Sequence, residues 1–454
     1  MKKKYVRWTL WTIASPFILF VILCILIYLP PIQNFLVDKA AVYASEATGM
    51  NISVGRISLS FPLNLVVTDV DAASPHNDTL LSVRRLQVNV QLLPLLKKQV
   101  EVDGISLQGA TVNSNDLIHG MKLNGTLGEL FISSHGVALD PETAIVNKVL
   151  LKDTDLSLCL NDTAAVDTAA SDTTYWKIIL QDIDLQNVSF ALDMPLDSLS
   201  LAASLDNAIL RDGLIDLHKS AYSLQTFRIK NGRVRYDSGK PLAADSLPSG
   251  LDPSHIALTD IGVKLDSLYY EGRNMKAIIS QFVLKERSGV EIVSATGRMV
   301  SNDKVLRVPS LKLETRDSYL ELNAAMDWNA LDFKGEGLVS ARLMADIGKP
   351  DVVRFMGRMD EKFVRQYPSE PLRIRTGIDG DLNKLKLTTL TAELPGALGL
   401  FARGELTHLT DSLLRGGDIT LEAETKDLKF VSTLAEGIEI PYGTRLEGKF
   451  TMAG

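Results

Sequence analysis

The sequence has 454 residues, of which 46% are hydrophobic and 23% are charged, an ordinary composition for a globular protein. The formal net charge is −7, which argues against a nucleic-acid-binding protein because such proteins carry a basic surface. The chain contains only two cysteines, which excludes a disulfide-stabilised scaffold and a multi-cysteine metal centre. We therefore predict no nucleic-acid partner.

The N-terminus has the features of a membrane anchor. Residues 1–7 carry a basic cluster, and residues 8–29 form an apolar run without a charged side chain. As a helix, this run would be about 33 Å long, enough to cross a hydrocarbon core of about 30 Å. A cleaved signal peptide is the alternative, but its apolar region is normally about 7–15 residues long. We predict an uncleaved single-pass anchor with a cytoplasmic N-terminus, because the basic cluster precedes the span.

The spacing of apolar residues changes after the anchor. Residues 30–49 have helical spacing and end on a glycine, which predicts a short amphipathic helix. Residues 50–454 alternate between apolar and polar side chains, as a sheet with one apolar and one polar face requires. This region is predicted to be mainly β, an elongated and repetitive antiparallel sheet of roughly 25–30 strands with few short helices. Composition predicts loops near residues 161–174 and 240–254.

A degenerate repeat recurs along the β-rich region. Each copy consists of an apolar-x-apolar strand, two turn-prone residues and another short strand, and copies start at Ile105, Val149, Ile183 and Phe227. Unequal spacing argues against a propeller or a strict β-helix. We interpret the copies as β-meander units in which the turn-prone pair is a turn, although chance alternation could produce one or two of them. One later segment, residues 351–367, is predicted to be a helix that packs on the sheet or acts as a lid.

The residues give no sign of catalysis. The six histidines are scattered, without a His-Glu-x-x-His pattern, and no Gly-x-Ser-x-Gly or phosphate-binding glycine loop occurs. The acidic turn at Asp379–Asn383 lacks the glycine and the acidic twelfth residue of a calcium loop. We therefore predict a protein that is not an enzyme and has no catalytic residue, metal site or cofactor.

A sheet with an uncovered apolar face suggests a different activity. Such a face, curled into a groove, could hold lipid acyl chains, because burial of each CH₂ group contributes about 0.8 kcal/mol. Core packing is the alternative role for each residue, and a sheet closed on itself would make the protein an anchored scaffold or interaction module. An exported hydrolase with an unusual site is the third alternative. The predicted groove residues are Leu86, Val88, Val90, Leu92, Ile105, Leu107, Ile183, Leu185 and Ile229.

The opening of the chain resembles a known family. A basic start and a single span are followed by Ala47–Pro62, Leu65–Val70, Leu80–Leu96 and Val102–Leu107, whose apolar pattern is similar to that of AsmA-like proteins of the TamB type. The resemblance covers about the first 110 residues and the repeat style beyond them. Longer members carry a C-terminal domain, so this chain would correspond to an N-terminal portion or to a short member.

The resemblance implies a location and a set of partners. It implies a Gram-negative inner-membrane protein whose periplasmic β-groove carries phospholipid toward the outer membrane and assists outer-membrane biogenesis. Membrane lipids are the implied ligands, and an outer-membrane barrel protein of the assembly machinery is the implied protein partner.

Overall fold

The computed structural model describes residues 39, 41–43, 45–46, 48–60, 64–74, 78–91, 102–114, 120–138, 142–161, 175–239, 250–333, 337–357, 359–434 and 441–453. The predicted anchor at residues 8–29 lies outside these ranges, and the described residues contain no helix long and apolar enough to cross a membrane. The described residues between 39 and 48 are helical. Gly49 follows with a φ of +69° and donates its N–H to the Ser45 carbonyl at 2.9 Å, as at a helix C-terminus.

The prediction of a mainly β protein is confirmed, because the described strands form one sheet of 21 strands with few short helices. The strands are longer and fewer than the roughly 25–30 expected from the usual strand length. The chain divides into an N-terminal unit, Met1–Asp172 with Ile178–Leu196, and a C-terminal unit, Thr173–Lys177 with Asp197–Gly454. The two predicted loops fall mostly outside the described residues.

The described residues of the N-terminal unit form seven strands. Successive strands from β1 to β6 pair antiparallel, ending with the β5–β6 pair. The strands are β1 Asn51–Ser60, β2 Asn64–Ala73, β3 Thr79–Val90, β4 Val102–Asn113, β5 Met121–Ala138, β6 Thr143–Leu160 and β7 Lys177–Met194.

The C-terminal unit continues the same pattern of antiparallel pairing. Strand β10 lies between β8 and β11, the short β9 pairs with both β8 and β11, and from β11 onward each strand pairs with the next. The strands are β8 Leu199–Asp216, β9 Ala221–Leu224, β10 Thr226–Ser238, β11 His255–Glu271, β12 Asn274–Glu286, β13 Glu291–Ser301, β14 Val305–Thr315, β15 Tyr319–Asp327, β16 Leu338–Ile347, β17 Leu372–Asp381, β18 Lys384–Leu394, β19 Leu398–Thr407, β20 Gly416–Thr425 and β21 Arg445–Ala453. The helices are α1 Trp328–Leu331, α2 Lys349–Phe355 and α3 Glu361–Gln366, and short 3₁₀ turns occupy Pro195–Asp197 and Lys429–Thr433.

The prediction of a single helix over residues 351–367 is wrong, because α2 and α3 are separate helices. Gly357, between them, has a φ of +75°, which an α-helix does not contain. As a result the apolar stripe does not lie on one face: Phe363 is 1% exposed, whereas Phe355 is 52% exposed.

These helices cover the two strand ends of the sheet between β15 and β20. At one end, Phe363 and Tyr367 pack with Phe430 and with Leu394 and Ala397 of the β18–β19 hairpin. At the other end, Ala330 of α1 packs with Val339 and Leu382, and Met326, Ile378, Leu385 and Leu409 lie against them. The packed core of the C-terminal unit is therefore concentrated where helices meet strand ends.

Alternate strands of the N-terminal unit, β2, β4 and β6, contain an internal kink. Asp69 in β2, Gly109 in β4 and Asp153 in β6 have φ values of +54°, +62° and +49°. The strand register aligns these three residues with one residue each of β1, β3 and β5. Together the six residues form a line across the sheet, which we call the kink row. The kink row consists of Gly55, Asp69, Arg84, Gly109, Gly128 and Asp153.

The kink row corrects the interpretation of the repeat. The turn-prone pairs, such as Gln108-Gly109 and Lys152-Asp153, lie inside continuous strands and are not turns between short strands. Asp and Asn tolerate the left-handed conformation that a kink needs, because their short polar side chains can hydrogen-bond locally. This explains why turn-forming residues occur within strands.

Two glycines are required opposite left-handed aspartates. A Cβ atom at Gly55 would lie 2.9 Å from the Cβ of Asp69, and one at Gly128 would lie 2.8 Å from the Cβ of Asp153. Both distances are shorter than carbon atoms can approach without repulsion. The aspartate and the glycine that faces it therefore form a steric unit.

We expect Gly128→Ala to destabilise strands β5 and β6 by about 1–3 kcal/mol, the usual cost of an inserted methyl group that has no space. Hydrogen exchange read by mass spectrometry should then be faster in peptides from β5 and β6. Gly399→Ala is the control, because a Cβ there meets nothing within 4 Å. Equal exchange in wild type, variant and control would contradict the steric role of Gly128.

Burial raises the pKa of the Tyr367 phenol. Because its folded-state pKa lies above the unfolded value of about 10, Tyr367 contributes stability that is complete below pH 10 and is lost as the pH rises through the folded-state pKa. We expect the melting temperature to fall less between pH 9 and pH 11 in Tyr367→Phe than in wild type. Tyr442→Phe, at a side chain that is 78% exposed, should behave like wild type. An identical fall in all three proteins would contradict this prediction.

Candidate functional site

Two rows of apolar side chains cross the N-terminal unit, and we call them together the N-terminal ladder. Paired residues of neighbouring strands point to the same side of a sheet, so register alone defines each row. Row I consists of Ile57, Val67, Leu86, Leu107, Leu130 and Leu151, on β1 to β6 in order. Row II consists of Leu59, Leu65, Val88, Ile105, Ile132 and Val149 on the same strands.

Four predicted groove residues lie directly opposite one another. Leu86 pairs with Leu107, and Val88 pairs with Ile105, so β3 and β4 present them on one face. Val90 is half-buried at the end of β3, where pairing with β4 becomes irregular after Asn89. Leu92 lies outside the described residues.

Ile183 and Leu185 lie on β7, whose contacts with β6 have a constant offset. Asn147 and Gln181 are joined at 2.9 Å, Asn187 donates to Asp153 at 2.9 Å, and Ser189 donates to Asp155. All three pairs are 34 residues apart. A constant offset indicates two strands that run in the same direction.

The same offset extends both rows onto β7. It places Ile183 beside Val149 in row II and Leu185 beside Leu151 in row I. Asn187, with a φ of +51°, continues the kink row because it hydrogen-bonds to Asp153.

Ile229 belongs to a row of the C-terminal unit, which we call the C-terminal ladder. Ile229 pairs with Ala208 on one side and Val263 on the other. The row continues in register across every later strand with apolar side chains only. Its members are Ala208, Ile229, Val263, Phe282, Ala295, Leu313, Leu320, Ala345, Ile374, Ala392, Leu400, Ala423 and Leu446.

The kink row keeps the N-terminal ladder on one face. In β1, the apolar residues before Gly55 are Ile52 and Val54, and those after it are Ile57 and Leu59. The alternation of apolar and polar residues therefore shifts by one position at the kink row. The burial pattern of β1 shifts in the same way, with two successive exposed residues at the kink. Without the shift, half of the apolar side chains would point to the opposite face.

The face opposite the N-terminal ladder, which we call the outward face, is polar beside the kink row in β1 to β6. Arg56, Thr68, Arg85, Gln108, Glu129 and Lys152 pair in register from β1 to β6. Each of these residues is the sequence neighbour of a kink-row residue: it follows that residue in β1, β3 and β5 and precedes it in β2, β4 and β6. The N-terminal unit therefore combines an apolar face with a charged one.

The ladder side chains remain partly open to solvent. Ile105 in row II is 36% exposed, and Phe190, beyond the kink row on β7, is 37% exposed. Among the described residues of the N-terminal unit, the fully buried apolar side chains are Ala72, Leu80 and Val83. An apolar surface of this kind favours an apolar ligand, because a fully buried Leu or Ile side chain contributes about 1.5–3 kcal/mol.

Two aspartates illustrate structural contacts of titratable groups. Asp351, 1% exposed, accepts from the hydroxyl of Ser318 at 2.6 Å and from Arg354 at 3.2 Å, which ties α2 to the β14–β15 hairpin. A hydrogen bond from Ser280 lowers the pKa of Asp266. No group of three or more His, Cys, Asp or Glu residues that could hold a metal ion occurs in the described ranges.

Sequence reasoning missed most of the ladder. Rows I and II include residues of β1, β2, β5 and β6, among them Leu130 and Leu151, yet only β3, β4 and β7 of this unit were assigned to the groove. The signal was present in the repeat: two adjacent polar residues between apolar-x-apolar segments mark a shift of phase within one strand.

Comparison with known proteins found no matching family model and no matching curated protein.

Proposed function

We propose that this protein is a membrane-anchored periplasmic protein that holds phospholipid acyl chains against its apolar ladders, for lipid transport between the inner and outer membranes. The ladders are the observation that supports this function best. Each is built by apolar residues in register from strand to strand, with a polar outward face in the N-terminal unit. A lipid tail lying across the strands would meet an apolar side chain about every 4.8 Å, the spacing of neighbouring strands.

The kink row supports a sheet that curls around such a ligand. Kinks and bulges bend a strand and increase its local twist. Alignment of the kinks on β2, β4 and β6 would bend the N-terminal unit along one line, and Val83, the apolar residue next to that line on β3, is buried. We infer that the apolar face is the concave face of a groove.

The remaining parts of the proposal come from the sequence. The apolar run at residues 8–29 would anchor the chain in the Gram-negative inner membrane, with residues 50–454 in the periplasm. The resemblance to AsmA-like proteins suggests a role in outer-membrane biogenesis and an outer-membrane barrel partner. The lipid-holding ladders need no cofactor and no catalytic residue.

An anchored scaffold with a closed β core is the second candidate function. Packing of α1, α2 and α3 over the strand ends of β15 to β20 favours it, because these helices already bury part of the apolar surface. The two functions differ in one observable: a conduit carries lipid in its purified state, and a scaffold does not.

The test is native mass spectrometry with lipid extraction on the full chain purified from envelopes in mild detergent. We expect several phospholipids per wild-type chain. The double variant Val88→Asp, Leu107→Asp should lose most of them, because two carboxylates on the ladder cannot be buried against acyl chains without a large penalty.

The matched control is Gln87→Asp, Gln108→Asp, which places the same charges on the outward face of the same two strands. The control should retain its lipids, and circular dichroism should verify that both variants fold. A folded wild-type protein without lipid would contradict the conduit and favour the scaffold, and so would equal lipid loss in both double variants.

A further inference from the structure

The C-terminal unit has a cleft on the face opposite the C-terminal ladder, which we call its outward face. Its walls include Arg307 and Pro309 of β14, Asn323 of β15, and Ser340 and Arg342 of β16. The cleft has a volume of about 240 Å³, which is enough for a small oxyanion with its hydration water.

Register explains why a cleft forms at this place. Arg298 pairs with Ser310, and Asn323 pairs with Arg342, so one row on β13 to β16 has long side chains at its ends and short ones between. The register of β14 against β15 shifts between Val308 and Leu311, where Pro309 and Ser310 face Asn323. In the next row, Arg307 pairs with Ala325, and the small Ala325 side chain leaves open space at the bottom of the cleft.

The arginines around this cleft differ from others in the same unit. Arg354 contacts Asp317 at 2.9 Å, and Arg375 contacts Asp346 at 2.8 Å. By contrast, Arg298, Arg307 and Arg342 have no ion pair or hydrogen bond with any residue in the described ranges. Arg307 and Arg342 are exposed, so their guanidinium groups are accessible.

The nearby carboxylates on this face are already engaged. Glu321 lies 3.9 Å from the Lys312 ammonium group and accepts from the Tyr319 hydroxyl at 2.9 Å. Asp379 accepts from the Ser340 hydroxyl at 2.5 Å. The face therefore presents three unpaired guanidinium groups, those of Arg298, Arg307 and Arg342, on a chain whose net charge is −7.

We propose that this cleft binds a phosphate group. The planar guanidinium group matches phosphate oxygens with two parallel hydrogen bonds, which makes arginine the preferred residue for such contacts. Arg307 and Arg342 would hold the anion from two sides, and the Asn323 amide is a further donor on the same wall. The site lies on the face opposite the ladder and does not depend on lipid binding there.

Free phosphate and a phospholipid headgroup share this chemistry. Isothermal titration of the full chain in detergent would use two soluble probes, inorganic phosphate and glycerophosphoglycerol. We expect saturable binding of at least one of them, and tighter binding of glycerophosphoglycerol would identify a headgroup as the source.

The variant Arg307→Gln, Arg342→Gln should weaken this binding about tenfold or more, because both bidentate contacts are lost. Arg403→Gln is the control: Arg403 is an exposed arginine on the outward face of β19 and lies away from the cleft. Arg307→Lys, Arg342→Lys keeps the charge and should recover only part of the binding.

Three results would overturn the proposal. These are the absence of saturable binding of either probe to wild type, equal weakening in the control and the glutamine variant, and full recovery with lysine, which would indicate non-specific attraction. The variants change exposed side chains, and circular dichroism checks that they fold.

Discussion

The architecture of the N-terminal unit depends on a steric constraint between a left-handed residue and the residue that faces it. Asp69 and Asp153 adopt positive φ values inside strands, and glycines 55 and 128 give their Cβ atoms space. Repetition of this arrangement in register shifts apolar alternation by one position in each strand. The shift keeps hydrophobic side chains on the same face on both sides of a kink.

A sheet with one open apolar face is thermodynamically incomplete. Each ladder residue that stays partly exposed leaves some of the roughly 1.5–3 kcal/mol of its burial free energy unrealised. In the C-terminal unit, α1, α2 and α3 recover part of it at the strand ends of β15 to β20. Ile105 in the N-terminal unit shows the opposite situation, since it is 36% exposed. A ligand with a long apolar part would complete this surface.

The sequence predicted the fold class and part of the ladder, because period-two alternation is a local signal. Leu86, Val88, Ile105 and Leu107 were identified in this way, and their register places them face to face. The kinks were misinterpreted as turns because Asp, Asn and Gly favour both conformations, and only pairing with the neighbouring strand distinguishes them. Similarly, the break at Gly357 was missed because the apolar stripe continued beyond it.

Non-local features could not be predicted from one sequence. The cleft near Arg307 and Arg342 depends on a register shift in β14 that brings distant residues into adjacent rows. The parallel pairing of β6 with β7 likewise depends on contacts between Asp153 and Asn187 that no local pattern encodes.

The most direct measurement is photo-crosslinking from single positions on the two faces of one strand pair. A benzophenone amino acid would replace Leu107 or Leu130 on the ladder, and Gln108 or Glu129 on the outward face, in the full chain within cell envelopes. We predict phospholipid adducts from the two ladder positions and few from the outward positions. Equal adducts from both faces, or none from any position of the folded protein, would contradict lipid binding at the ladder.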